Sequence, residues 1–187
     1  MQTSQRWWSE VRADESRFNE WLRKQYHGEI TAYERIRDYV AKLDRESGWP
    51  EGSPLVRQGL AMIAEQENTH ALWIAGLLAV RGIPVVPLSK EERYWSETLP
   101  EGLGSIAEAG AVAHHAEMMR LERIRVIAKD EDAPADVREV FQRILPEEEF
   151  HARFFLQISN QEAIEKARAA HLRGAEAIGF VTAAETL

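Results

Sequence analysis

The 187-residue chain has no cysteine. That absence excludes disulfides, a thiolate nucleophile, iron–sulfur clusters and any metal site built on thiolates. A metal held by this chain must therefore be bound by His, carboxylate or water, donors that suit iron, manganese or zinc better than the softest metals. No apolar run approaches the roughly 18 residues a membrane span needs, so no span is expected. The opening stretch MQTSQRWWSEVRADES lacks the basic flank and apolar core of a secretory signal, which points to the cytoplasm. Positive charge is also in deficit: 23 Lys and Arg against 31 Asp and Glu leave a formal charge of −8. The two signs are interleaved with no basic stripe, so nucleic acid is not an expected partner. Strand-type alternation is missing beyond a few residues around Ile83 to Val86.

What is present is a series of long helical stretches punctuated by Gly and Pro. The first runs from about Asp14 to Arg45 and ends at the turn SGWPEGSP, residues 47–54. Ser53 followed by Pro54 opens the second, which stops near Arg81, before Gly82 and Pro84. A connection of about 22 residues without clear period follows. Ser105 and Glu108 form a capping box for a third helix reaching about Lys129, and Asp132 to Pro134 opens a fourth ending near Ser159. A last helix covers about 161–180, to cap the bundle or build a dimer contact. The expected fold is all-α, one domain over 1–187. Two antiparallel hairpins joined by a long crossover make a four-helix bundle at about 14–159, with a C-terminal fifth helix.

Steps of three and four residues define the inward stripe of each bundle helix. Helix one presents Leu22, Tyr26, Glu29, Tyr33, Ile36 and Val40; helix two Val56, Leu60, Ile63, Glu67, His70, Ile74 and Leu77. Helix three presents Ile106, Gly110, Ala113, Glu117, Leu121 and Ile124; helix four Val137, Phe141, Ile144, Glu148, His151 and Phe155. Each stripe is apolar or aromatic except near its middle, where a carboxylate interrupts it. In helices two and four a His follows three residues later, on the same face. Burying one ionised carboxylate costs several kcal/mol, so four together require cations. Two divalent ions balance four carboxylates. The expected metal ligands are Glu29, Glu67, His70, Glu117, Glu148 and His151.

This pattern resembles the ferritin-like superfamily, and most closely its rubrerythrin-like branch. Two helices of such proteins each give one Glu, and the other two each give Glu-x-x-His. QENTHALWIAGLLAVRG resembles the second-helix motif of the superfamily and ILPEEEFHARFF the fourth. The resemblance implies two iron ions, with manganese or a mixed Fe/Mn pair as alternatives. Glu67 and Glu148 would bridge them, Glu29 and Glu117 would be terminal ligands, and one His would bind each ion. It further implies an oxidoreductase using O2 or H2O2, a separate electron donor and a homodimer. Rubrerythrins carry a second Glu three residues after the third-helix ligand and a cysteine-based rubredoxin module. Here that position is Arg120, and the module is missing. Ferritins proper lack the second His. HGE at 27–29, with His70, Trp73, Leu77, Leu78, Arg81 and Gly82, is similar to the demethoxyubiquinone hydroxylases, which use membrane-embedding helices absent from this reading.

Three function classes stay open: peroxidase, oxidase or oxygenase chemistry, including a quinone-hydroxylase-like monooxygenase; ferroxidase or iron binding without an organic substrate; and a structural or regulatory manganese or zinc bundle. Around the ligands, Tyr33, Tyr26 and His114 are candidates for hydrogen-bonding the site, with plain packing as the competing reading. Glu149 and Glu147 are expected at the solvent-facing edge, Glu108 as a cap and Glu34 off the inward stripe. His115, His27 and His171 have weaker claims, and Trp73 reads as packing. Pro146 removes a backbone hydrogen bond within helix four and is expected to kink it.

Overall fold

A computed structural model describes residues 3–46, 48–49, 53–89, 92–102 and 104–180. Much of the expected 47–54 turn (Ser47, Pro50, Glu51 and Gly52) lies outside them. Among the described residues there are seven α-helices and one 3-10 turn, with no strand. They are α1 (Ser4–Ala13), α2 (Glu15–Glu46), α3 (Pro54–Val80), α4 (Arg93–Thr98), the 3-10 turn Leu99–Gly102, α5 (Ile106–Lys129), α6 (Ala135–Gln157) and α7 (Gln161–Ala177). The chain divides into two compact units, Ala13–Ser89 and Met1–Arg12 with Lys90–Leu187.

The first unit is the α2–α3 hairpin. Pro54 opens α3, where its missing N–H is no loss. Gly82 ends it at φ 66°, with Gly82 N–H donating to Ala79 O and Ile83 N–H to Leu78 O. These two bonds form a Schellman motif, which glycine supplies without a Cβ penalty. After the helix, the chain is tied back to α2 by Leu88 N–H donating to His27 Nδ1 at 3.2 Å.

The second unit is the α5–α6 hairpin with α1, α4 and α7 around it. Ser105 Oγ accepts from Glu108 N–H, as the capping box requires, and Glu108 also pairs with Lys166 of α7. Asn160 caps α7 by accepting from Ala163 N–H. The α6 helix runs uninterrupted through Pro146, which costs one backbone bond without ending the helix. At the end of this hairpin, α5 and α6 approach so closely that a Cβ on Gly110 would stand 2.9 Å from Phe155 O and from Ile158 Cγ1.

Two elements depart from the sequence expectation. The N-terminal residues form α1, whose Trp8 and Val11 are buried, with Trp8 Nε1–H donating to Asp130 Oδ2 at 2.7 Å. Arg123 of α5 lies 4.2 Å from the Trp7 ring and 4.7 Å from the Phe180 ring, so its guanidinium joins both ends of the unit. The crossover, expected to be irregular, contains α4. Its buried Tyr94 hydroxyl shares a hydrogen bond with His171 Nδ1 of α7 at 2.9 Å, and a Cβ on Gly174 would meet the Tyr94 ring at 2.8 Å. Burial pushes the Tyr94 phenol up, with the Glu117 charge adding to it. The hydroxyl therefore stays protonated. Burial, with His115 stacked 4.8 Å away, pushes His171 down to about 4. No helix among the described residues is long and apolar enough to cross a membrane.

Gly110→Ala is expected to destabilise the protein by about 1–3 kcal/mol in chemical denaturation, because a backbone oxygen cannot yield. Gly76→Ala, which meets nothing within 4 Å, should stabilise it by about 0.5–1 kcal/mol. His171 predicts an acid limb. The unfolded imidazole takes its proton near 6.5 and the folded one only near 4. Stability contributed at neutral pH is thus lost as pH falls through that window. Denaturation midpoints from pH 7 to 4 should fall less steeply in His171→Gln than in the wild type.

Candidate metal centre

In the α2–α3 unit, Leu22 and Glu29 of the α2 stripe are buried while its Tyr26, Tyr33, Ile36 and Val40 are half-buried, and the α3 stripe carries Leu60, Ile63, Glu67, His70 and Ile74 into burial. The polar members share the burial of their apolar neighbours because they occupy the same helical rows. Glu29 is 1% exposed, and Glu67 and His70 are both 0% exposed. One ligand atom from each of the three lies within 4.8 Å of the others. His70 Nδ1 stands 3.7 Å from Glu29 Oε2, joining α3 to α2. The Trp73 ring lies 5.6 Å from the His70 ring, a packing contact on the same helix.

The α5–α6 unit repeats the arrangement. Glu117 lies on α5 between Gly110 and Leu121, and Glu148 and His151 lie on α6 between Ile144 and Phe155. Glu117 is 6% exposed, while Glu148 and His151 are at 0%. Their donor atoms also lie within 4.8 Å of one another, with His151 Nδ1 3.3 Å from Glu148 Oε2. Metal–ligand bonds of about 2.0–2.2 Å place donor atoms on one ion roughly 3–4.5 Å apart. Each unit thus presents two carboxylates and an imidazole at a spacing fit for metal, and these oxygen and nitrogen donors suit iron, manganese or zinc. Without a cation, buried carboxylates this close would repel one another in a medium that screens poorly.

The remaining candidates separate by their partners. His114 is half-buried and its Nδ1 bonds Ala152 O on α6 at 2.9 Å. That bond fixes α5 against the residue following His151. Tyr33 is half-buried and its ring carries the Arg37 guanidinium at 5.2 Å, along the outer part of α2. Tyr26 is half-buried. His115 Nε2 bonds Ile164 O, His27 accepts from Leu88, and His171 Nδ1 shares a hydrogen bond with the Tyr94 hydroxyl. Glu149 pairs with Arg125 at 2.9 Å, and Glu34 is exposed.

A functional contact that the inward stripes do not reveal is made by Arg120. Its Nη2 donates to Glu148 Oε1 at 3.1 Å, and its Nη1 lies 3.9 Å from Glu117 Oε2. The i, i+3 spacing to Glu117 is legible in the sequence. The reach to Glu148, 28 positions away, is not.

A family model for rubrerythrin matches residues 20–159. No curated protein and no solved structure matches the chain. The match takes in Glu29, Glu67, His70, Glu117, Glu148 and His151 and the link between the hairpins. The chain belongs to the rubrerythrin family, and its fold class is the all-helical, ferritin-like bundle of that family.

Proposed function

We propose that the protein is a di-iron carboxylate oxidoreductase acting on O2 or H2O2. In this reading Glu29, Glu67 and His70 of the first unit, and Glu117, Glu148 and His151 of the second, are the metal ligands. The observation that carries it is the doubled arrangement: each hairpin buries two carboxylates and an imidazole, with Glu-x-x-His on its second helix. Membership of the rubrerythrin family supports iron as the metal.

Two ferrous ions bound there would supply a pair of electrons to the oxidant. The chain's own residues do the rest. Four carboxylates would balance the charge of two divalent ions. Ile63, Ile74, Phe141, Ile144 and Phe155, all buried on the ligand-bearing rows, exclude bulk water and keep the local dielectric low. His114, bonded to Ala152 O, fixes the α5–α6 register on which Glu117, Glu148 and His151 depend. A chain without cysteine has no thiolate-bound redox centre of its own, so reductant comes from a separate donor.

Purified anaerobically with Fe(II), the wild type should contain about two irons per chain. Its visible spectrum should change on addition of O2 or H2O2, and the faster oxidant identifies the substrate. The Glu67→Ala/Glu148→Ala double variant should lose nearly all of that iron. Equal metal content in wild type and variant would overturn the site. Oxidation with the iron retained as oxide, and no multiple turnover of peroxide or an organic substrate, would make iron handling the function instead.

A further inference from the structure

The α5–α6 unit places a permanent cation against two of the carboxylates that the proposed function assigns to metal. Arg120 donates to Glu148 Oε1 at 3.1 Å and comes within 3.9 Å of Glu117 Oε2, while the far oxygen of Glu148 faces His151 Nδ1 at 3.3 Å. Glu148 is fully buried and the Arg120 side chain is 23% exposed, so the guanidinium reaches these carboxylates from the rim of the buried cluster. A guanidinium does not lose its charge in a protein. It therefore keeps its attraction for Glu117 and Glu148 at every pH at which the protein is folded.

We propose that Arg120 is the counter-ion of Glu117 and Glu148 in the metal-free protein and competes with metal for them. The inference rests on the reading of these residues as metal ligands. Before loading, the guanidinium offsets part of the repulsion between buried carboxylates, and that keeps the empty hairpin folded. Loading a cation must then overcome a charge-assisted hydrogen bond to Glu148, and the fixed positive charge opposes the incoming one. With four carboxylates and two divalent ions, the cluster including Arg120 carries a net charge of +1 rather than 0. Arg120 is thus a positioning residue: it acts through Glu148 and Glu117, lowering metal affinity in exchange for stability of the metal-free state.

The test measures Mn2+ binding by calorimetry, and thermal midpoints with and without Mn2+, in the full-length wild type, Arg120→Gln and Arg120→Lys. Arg120→Gln should bind Mn2+ more tightly by on the order of 10–100-fold, the worth of one charged hydrogen bond. Its metal-free midpoint should fall, and its gain on adding Mn2+ should exceed that of the wild type. Arg120→Lys keeps the charge but loses the planar fork and should lie between the two. A guanidinium that merely ties α5 to α6 would lower both midpoints together and leave the affinity unchanged or weaker. That result overturns the proposal. Should Arg120→Gln fail to fold, Arg120→Lys carries the test alone, and affinity at or below that of the wild type overturns it. Wild type binding about two Mn2+ with unchanged affinity in the variants refutes this inference only. No Mn2+ uptake by wild type or variants refutes the metal centre and this inference together.

Discussion

Everything in this protein is arranged around carboxylates held out of water. Glu29 and Glu67 in one hairpin, and Glu117 and Glu148 in the other, are at most 6% exposed. Each pair shares its space with an imidazole within a few ångströms. Removing an ionised carboxylate from water costs several kcal/mol even after relaxation, a large fraction of the stability of a domain this size. Such a cost is sustained only where positive charge answers it. The candidates are the His residues when protonated, the Arg120 guanidinium, and metal. Two divalent ions would bring enough positive charge to answer all four.

That constraint explains the frame. Carboxylates spaced for a metal must be held to within a fraction of an ångström, and long helices with interdigitated apolar rows provide the rigidity. The contacts that hold them lie away from the ligands: the close approach at Gly110, the His114 bond to Ala152 O, the Leu88 bond to His27 and the Tyr94–His171 clamp. Three of those four contacts use histidines that compete as metal ligands on composition alone. Each has a ring nitrogen committed to a protein partner, as does His115 with Ile164 O, which leaves His70 and His151 as the two imidazoles buried among carboxylates.

Membership of the rubrerythrin family fixes the architecture more firmly than the chemistry. The chain lacks the thiolates that would let it pass electrons on its own, and it carries a guanidinium against the α5 and α6 carboxylates. Both differences bear on the same property, how the site is charged. A fixed positive neighbour would lower the affinity of such carboxylates for cations.

Most of the helical frame was legible because its signals are local. Ser53-Pro54, Gly82, the Ser105–Glu108 box and the three-and-four spacing of Leu60, Ile63, Glu67, His70 and Ile74 are written within a turn or two of the residues they govern. The burial of the four glutamates and of His70 and His151 follows from the same rows. The ten-residue α1 and the six-residue α4 were not legible, since elements so short take their stability from packing rather than from propensity. Nor were the long-range pairings, Trp8 with Asp130, Tyr94 with His171 and Arg120 with Glu148. The sequence by itself determined which faces of the helices turn inward and which donor atoms they carry, because helical periodicity is a property of neighbouring residues. Only the tertiary structure decided which histidines are spent on packing and which cation meets Glu148, because those partners are chosen by helices that meet far apart along the chain.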